Sequence, residues 1–353
     1  MIKSKMKIMI VTLALLLSSG CQMKYETDNL LSNEDKKVKI AIVFNDVGLG
    51  DKSFNDLCYE GMLKAQEDFQ IEFDYSEGNQ KQAYDDLFRE YANTKEYDLI
   101  VALGEEQEDA IKRVAKEFEK QKFTILDSEL KGDNISSIDT KWSEQTFLNG
   151  VIAGLSMSKN YTDEETVGII LGKNHKYLEE GAIGFEAGVR YIRPDIKPIV
   201  ANVDDFSNPS KAKEIALLMY NKGAKYIQQI AGESGFGVFA AAKETDNYVF
   251  GVDGNQNFFE PDYIVSTAIR NADKIVYDEI KSIVNNSWEA KIHKLGLKDD
   301  VIGYTRDGSN VKLDTQIIEI VEEIKESIIK EKIEIPSTKK DLEEWIKYNK
   351  YKF

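Results

Sequence analysis

Carboxylates, carboxamides and an aromatic recur just past the ends of apolar runs in this chain of 353 residues. Asn45-Asp46 and Phe54 follow one run, Asp127-Ser128 a second, Gly232 to Gly235 a third, and Asp253-Gly254-Asn255-Gln256 a fourth. Such groups offer hydrogen bonds to hydroxyl pairs or ring nitrogens, and an exposed aromatic offers a stacking face. Together they suit a polar ring compound, whereas each alone is equally a helix cap or turn former. The richest stretch is Asn45 to Asp56. There Gly48 and Gly50 loosen the turn, Ser53 is placed to cap a helix with Asp56 three residues on, and Phe54 stands at the helix mouth.

Catalytic alternatives find less support. Gly235-Phe236-Gly237-Val238-Phe239-Ala240, with Asp253 after the next strand, imitates a dinucleotide fingerprint, but it comes late in the chain and is interleaved with bulky phenylalanines. Gly232-Glu233-Ser234-Gly235 falls one residue short of a nucleophile elbow, and His175 and His293 are the two histidines available as a base. The same scarcity leaves no zinc-ligand spacing, and Asp204-Asp205 reads as a pair of loop caps. The expectation is a protein that is not an enzyme and needs no cofactor or metal.

These loops must be held by something, and the pattern between them is strand, helix, strand. Expected strands are Val38 to Phe44, Leu99 to Leu103, Phe123 to Asp127, Thr166 to Leu171, Ile199 to Val203, Tyr226 to Ala231, Tyr248 to Val252 and Ile264 to Ile269. Expected helices are Phe54 to Phe69, Ala110 to Phe118, Ala182 to Tyr191, Lys211 to Asn221, Val238 to Lys243 and Lys274 to Val284. Alternation of this kind gives α/β architecture with doubly wound parallel sheets, whose ligands sit at the carboxyl ends of the strands. An apolar content of 42% over so long a chain fills two cores. The expected lobes are 37–141 with 265–295 and 142–264 with 296–335, followed by a helical extension, 336–353, anchored by Trp345.

The first residues set the compartment. Lys3, Lys5 and Lys7 precede an apolar run from Ile8 to Leu17, and Ser18-Ser19-Gly20 leads into Cys21. The run is short for a membrane span and is similar to an export signal over 1–21 ending in a lipobox, with Cys21 as the lipidated residue; a plain anchor or an unlipidated signal remains the alternative. The polar tract 22–36 reads as a tether. Cys58 is the one other cysteine, so no disulfide forms once Cys21 carries lipid. A net charge of -16 argues against nucleic acid as a partner.

From Lys37 to Pro336 the chain resembles the basic membrane protein family of lipoproteins, the substrate-binding components of ABC transporters that include purine nucleoside receptors. The resemblance rests on Asp46-Val47-Gly48 with Gly50-Asp51-Lys52-Ser53-Phe54-Asn55, on Phe123 to Ser128, Thr146 to Gly150 and Gly184 to Val189, and on Asn208-Pro209, Lys213 to Ala216, Gly235 to Ala240 and Gly251-Val252-Asp253. It implies a type I periplasmic-binding clamshell with three hinge crossings, a nucleoside ligand, a permease partner and an extracytoplasmic, lipid-anchored location. It further implies that Asp46 and Asp127 address the base, Phe54 stacks on it beside Ser53, Asp253 holds the ribose hydroxyls, and Gly232 approaches the sugar through its backbone. Two departures stand out: Gly181 where relatives carry an aromatic, and Arg270 where they carry a lysine, a planar fork in place of a point charge. Glu105-Glu106-Gln107 replaces a more apolar stretch. A ligand-sensing regulatory lipoprotein of the same fold is the alternative.

Overall fold

The computed structural model describes residues 37–78, 84–157 and 165–352, so the expected signal, Cys21 and the tether lie outside the described residues. The chain runs through β1 (Lys39–Phe44), α1 (Phe54–Phe69), β2 (Glu72–Glu77), α2 (Tyr84–Thr94), β3 (Leu99–Leu103), α3 (Glu108–Glu117), β4 (Phe123–Leu126) and β5 (Ile135–Thr140). It then forms α4 (Trp142–Met157), β6 (Thr166–Leu171), α5 (Lys176–Ile192), β7 (Ile199–Asn202), α6 (Pro209–Asn221), β8 (Ala224–Ile230), α7 (Gly235–Thr245), β9 (Tyr248–Asp253) and β10 (Ile264–Arg270). It continues through α8 (Ala272–Val284), β11 (Ile292–Leu295), β12 (Ile302–Thr305), α9 (Thr315–Ile329) and α10 (Lys339–Tyr348).

Two six-stranded sheets result, in the orders β11-β5-β4-β3-β1-β2 and β12-β10-β9-β8-β6-β7. Every pairing is parallel except the antiparallel β10–β12 edge. Central strands such as Leu-Ile-Val-Ala-Leu of β3 are buried on both faces, as helix-covered parallel strands must be, while the polar β2 sits at an edge with its side chains largely in water. The chain passes between lobes three times, at 140–142, 270–272 and 295–302, which makes the molecule an α/β clamshell.

One assignment is corrected. The strand at 264–270 was expected in the first lobe, but β10 pairs with β9 and β12 in the second sheet, and the return to the first lobe begins at α8, which packs on α1. Strand composition records burial and not which sheet supplies the neighbour. The C-terminal extension lies on the second lobe: Trp345 packs edge-on against Phe147 at 6.1 Å and against Tyr191 at 5.6 Å, and Arg190 bridges Glu186 and Glu343.

At the centre of the second lobe, α4 is buried nearly all round. Several of its polar side chains are matched: Asn149 donates to Gln228 and accepts from Ser266, and Gln145 donates to the Ala268 carbonyl, although Gln145 Oε1 and Trp142 Nε1 have no partner among the described residues. Helices α4 and α5 meet through glycines. A Cβ on Gly150 would stand 2.2 Å from the Phe185 oxygen, on Gly184 2.1 Å from that of Ser143, and on Gly188 2.1 Å from that of Phe147. Gly188→Ala should therefore cost about 1–3 kcal/mol through overpacking. Urea unfolding should show a lower midpoint, and a midpoint equal to the parent's would mean that the helices separate without cost.

Candidate functional site

The carboxyl ends of both sheets face one another across a cavity that holds about 600 Å³ of empty space, its open mouth included. The first lobe contributes Asn45, Ser53, Phe54, Asn55, Glu106 and Asp127, and the second contributes Tyr177, Phe206, Gly232 and Asp253. Trp142 and Arg270 line it from two of the crossings.

Arg270 is the hub. Its Nη1 donates to Asp127 Oδ1 and its Nε to Asp253 Oδ1 at 3.0 Å, so one guanidinium joins the end of β4 in the first lobe to the end of β9 in the second. Its Cζ lies 4.4 Å from the Phe54 ring centre and 4.3 Å from that of Trp142, a planar cation against two aromatic faces. Ser53 Oγ adds a second bond between lobes, donating to Asp253 Oδ2 at 2.9 Å. Burial pushes the Asp127 carboxyl up to about 6 despite the guanidinium beside it, with Asp139 and Asp253 pressing the same way.

The local chain conformations explain this convergence. Asp127 and Asp253 both adopt left-handed backbone (φ 57° and 64°), which aspartate tolerates better than most side chains and which ends each strand. The α1 entrance differs from expectation: the cap is Asp51, whose carboxylate accepts from the Ser53, Asn55 and Asp56 amides. Asp56 turns back to the Gly50 and Lys52 amides, leaving the Ser53 hydroxyl free for Asp253.

Of the expected residues, Ser53, Phe54, Asp127, Gly232, Asp253 and Arg270 come together on the cavity wall. Asp46 does not: it stands at the mouth, half exposed, with its carboxylate 3.8 Å from Lys173 of the opposite lobe. Similar pairs span the cleft between His175 and Glu105 (3.4 Å), Lys176 and Glu129 (3.4 Å), and Lys294 and Glu180 (3.6 Å). Gly181 is off the wall, and the space its missing side chain leaves is taken by Ile230, whose Cδ1 is 2.8 Å from where a Cβ would be.

Sequence reasoning missed Phe206, Trp142, Tyr177 and the reach of Glu106. Phe206 sits in the Asp204-Asp205 loop, which Ser234 staples: the Ser234 amide donates to the Phe206 carbonyl, and its hydroxyl bridges the Asp205 carbonyl and the Asn208 amide. The serine of the near-elbow is thus a fully buried loop tie. A second aromatic face therefore comes from the loop after β7, with no periodic signal to mark it. Glu106 remains exposed in the mouth, yet desolvation, helped by Asp46 and Asp127 and opposed by Lys173, raises its carboxyl to about 7.

The family model described as ABC transporter substrate-binding protein PnrA-like matches residues 37–339. An uncharacterised lipoprotein of Pyrococcus abyssi is 30% identical over 84% of this chain and 80% of its own length. Basic membrane protein A of Borreliella burgdorferi is 26% identical over 96% of this chain and 98% of its own. A solved ABC transporter solute-binding protein of Aeropyrum pernix superposes with a TM-score of 0.78 at 23% identity, covering 88% of this chain and 98% of that one.

Arg270→Met keeps length but strips two buried carboxylates of their counter-charge, and it should lower unfolding free energy by about 3–5 kcal/mol. Adding Asp127→Asn and Asp253→Asn should recover part of that loss in urea titrations. A single variant as stable as the parent would mean that the bridge carries no weight.

Proposed function

The chain belongs to the PnrA-like family of ABC transporter substrate-binding proteins, and on that footing we propose that it captures a nucleoside, a purine nucleoside first of all, between its lobes for uptake. In this reading the mature protein is held by lipid on Cys21 at the extracytoplasmic face of the membrane and passes its ligand to a permease. It catalyses no reaction. Closure is a hinge motion about the three crossings.

The observation that carries this reading is the meeting of Phe206 and Phe54, from opposite lobes, with the Asp253 carboxylate in one cavity. Arg270 covers one face of Phe54, while His175 stacks on Phe206 at 6.2 Å and Lys173 Nζ lies 5.0 Å from its ring centre, so a base takes the ring surface that these neighbours leave. An ionised carboxylate has about four acceptor positions. Ser53 and Arg270 each take one on Asp253, which leaves capacity for a ribose diol. Asp127, spent on Arg270, then reaches the base by exchanging that partner for the ligand. Asp46 acts from the rim, and Gly232 lines the cavity in a left-handed conformation (φ 56°) that brings main chain close to a sugar.

A ligand-sensing role without transport is the second reading. It is favoured by the Arg270 bridge, which joins the lobes by the chain's own charges and so gives the protein a closed form independent of cargo.

Thermal unfolding of protein refolded free of ligand, against nucleosides, free bases, sugars and amino acids, tests the proposal. At about 100 times the dissociation constant the true ligand adds roughly 2.7 kcal/mol. A shift confined to nucleosides is expected, and Phe206→Ala should weaken that binding roughly tenfold. A response to sugars or amino acids alone, or conversion of the nucleoside during incubation, would discard the proposal.

A further inference from the structure

Lys173-Asn174-His175-Lys176, where β6 passes into α5, is a basic stretch in a chain with 62 acidic side chains against 46 lysines and arginines. From the second lobe it reaches three separate loops of the first. Lys173 meets Asp46 after β1 at 3.8 Å, His175 meets Glu105 after β3 at 3.4 Å, and Lys176 meets Glu129 after β4 at 3.4 Å. The middle pair is ionic only when His175 is protonated, so the constant part of the contact is the two lysines.

Lys294 of β11 extends the set. It lies 3.4 Å from Glu129 on its own lobe and 3.6 Å from Glu180 of α5 across the cleft, so Lys176, Glu129, Lys294 and Glu180 alternate in sign. Burial opposes ionisation of Glu129, yet Lys294 and Lys176 hold its carboxyl below the usual range. Water reaches the pairs made by the basic stretch: their side chains keep 24% to 80% of their surface, against 3% for Arg270. Salt therefore screens them and scarcely touches the Arg270 bridge. One exposed pair contributes little, but all of these break in the same hinge motion, so their small contributions act together.

We propose that Lys173 and Lys176 form an electrostatic latch, which draws the cleft shut by pairing with Asp46 and Glu129 whether or not cargo is inside, and which loosens as ionic strength rises. Asp46, Glu105, Glu106 and Glu129 make the first-lobe side of the mouth acidic, and the two lysines make the approach of the second lobe favourable. The latch adds to the Arg270 bridge a part of closure that salt can undo. It acts at the rim and is independent of which compound the cavity takes.

The test measures the separation of the lobes in ligand-free protein by pulsed electron spin resonance, with nitroxides on Lys112→Cys of α3 and Glu214→Cys of α6, both exposed positions. The full chain is held in detergent with Cys21→Ser, which leaves the fully buried Cys58 as its one native thiol. Raising salt from about 0.1 M to about 1 M shortens the screening length from about 10 Å to about 3 Å, and it should lower the parent's ratio of closed to open molecules roughly 3- to 10-fold. Lys173→Glu with Lys176→Glu turns attraction into repulsion. At low salt that variant should be more open than the parent, and salt should close it again, the opposite of the parent's response. Lys173→Gln with Lys176→Gln should fall between the two and respond to salt least. Urea midpoints of all three should agree, since both side chains lie at the surface. A parent that salt does not open, distances that are the same in the parent and the reversed variant, or an opening of the reversed variant that salt does not undo would each overturn the latch.

Discussion

A guanidinium buried at 3% exposure sets the terms for the rest of the molecule. Taking a cation out of water costs several kcal/mol unless carboxylates and aromatic faces replace the lost solvent, and Arg270 obtains both from two lobes at once. Asp127 must end β4 in left-handed backbone to reach it, and Asp253 must do the same at β9. Phe54 and Trp142 must cover its faces. The facing of the two sheet edges follows from satisfying this one ion, so the cavity is best understood as the space left around it. A lysine, with its single ammonium on a flexible stem, would not tie two carboxylates at fixed angles in this way.

Much of this was legible beforehand, and what was not has physical reasons. Alternating apolar strands and amphipathic helices marked β1, α1, β6 and β9 within a residue or so, because burial on both faces leaves a compositional trace. The cavity acids at 127 and 253 were readable because strand ends in doubly wound sheets are where ligands sit. Membership of β10 was not readable, since a buried strand looks alike in either sheet. Phe206 was hidden by its loop, and Ser53 was taken for the cap because a hydroxyl just before a helix usually is one, whereas Asp51 two residues earlier outcompetes it with an ionised carboxylate and three amides.

The glycine run that imitates a nucleotide fingerprint has a different explanation. A Cβ on Gly237 would fall 1.8 Å from the Pro209 oxygen, so that glycine lets α7 settle against the start of α6. Gly235 makes room for the Gln229 carboxamide, which bonds to the Ala231 amide and to Gln256. Close backbone approach is what the motif and its imitation share. Spacing alone does not say whether the approaching group is a pyrophosphate or another helix.

The same economy of space in α4 and α5 has a mechanical meaning. Three glycine-to-carbonyl contacts bring those helices together with no side-chain cushion between them, so the pair resists both shear and compression. The amino end of α4 is Trp142, at a crossing and on the cavity wall, while its middle carries Phe147 against Trp345 of the C-terminal helix. The second lobe is therefore stiff along this path, which runs from the cavity wall at Trp142 to the outer surface beneath α10.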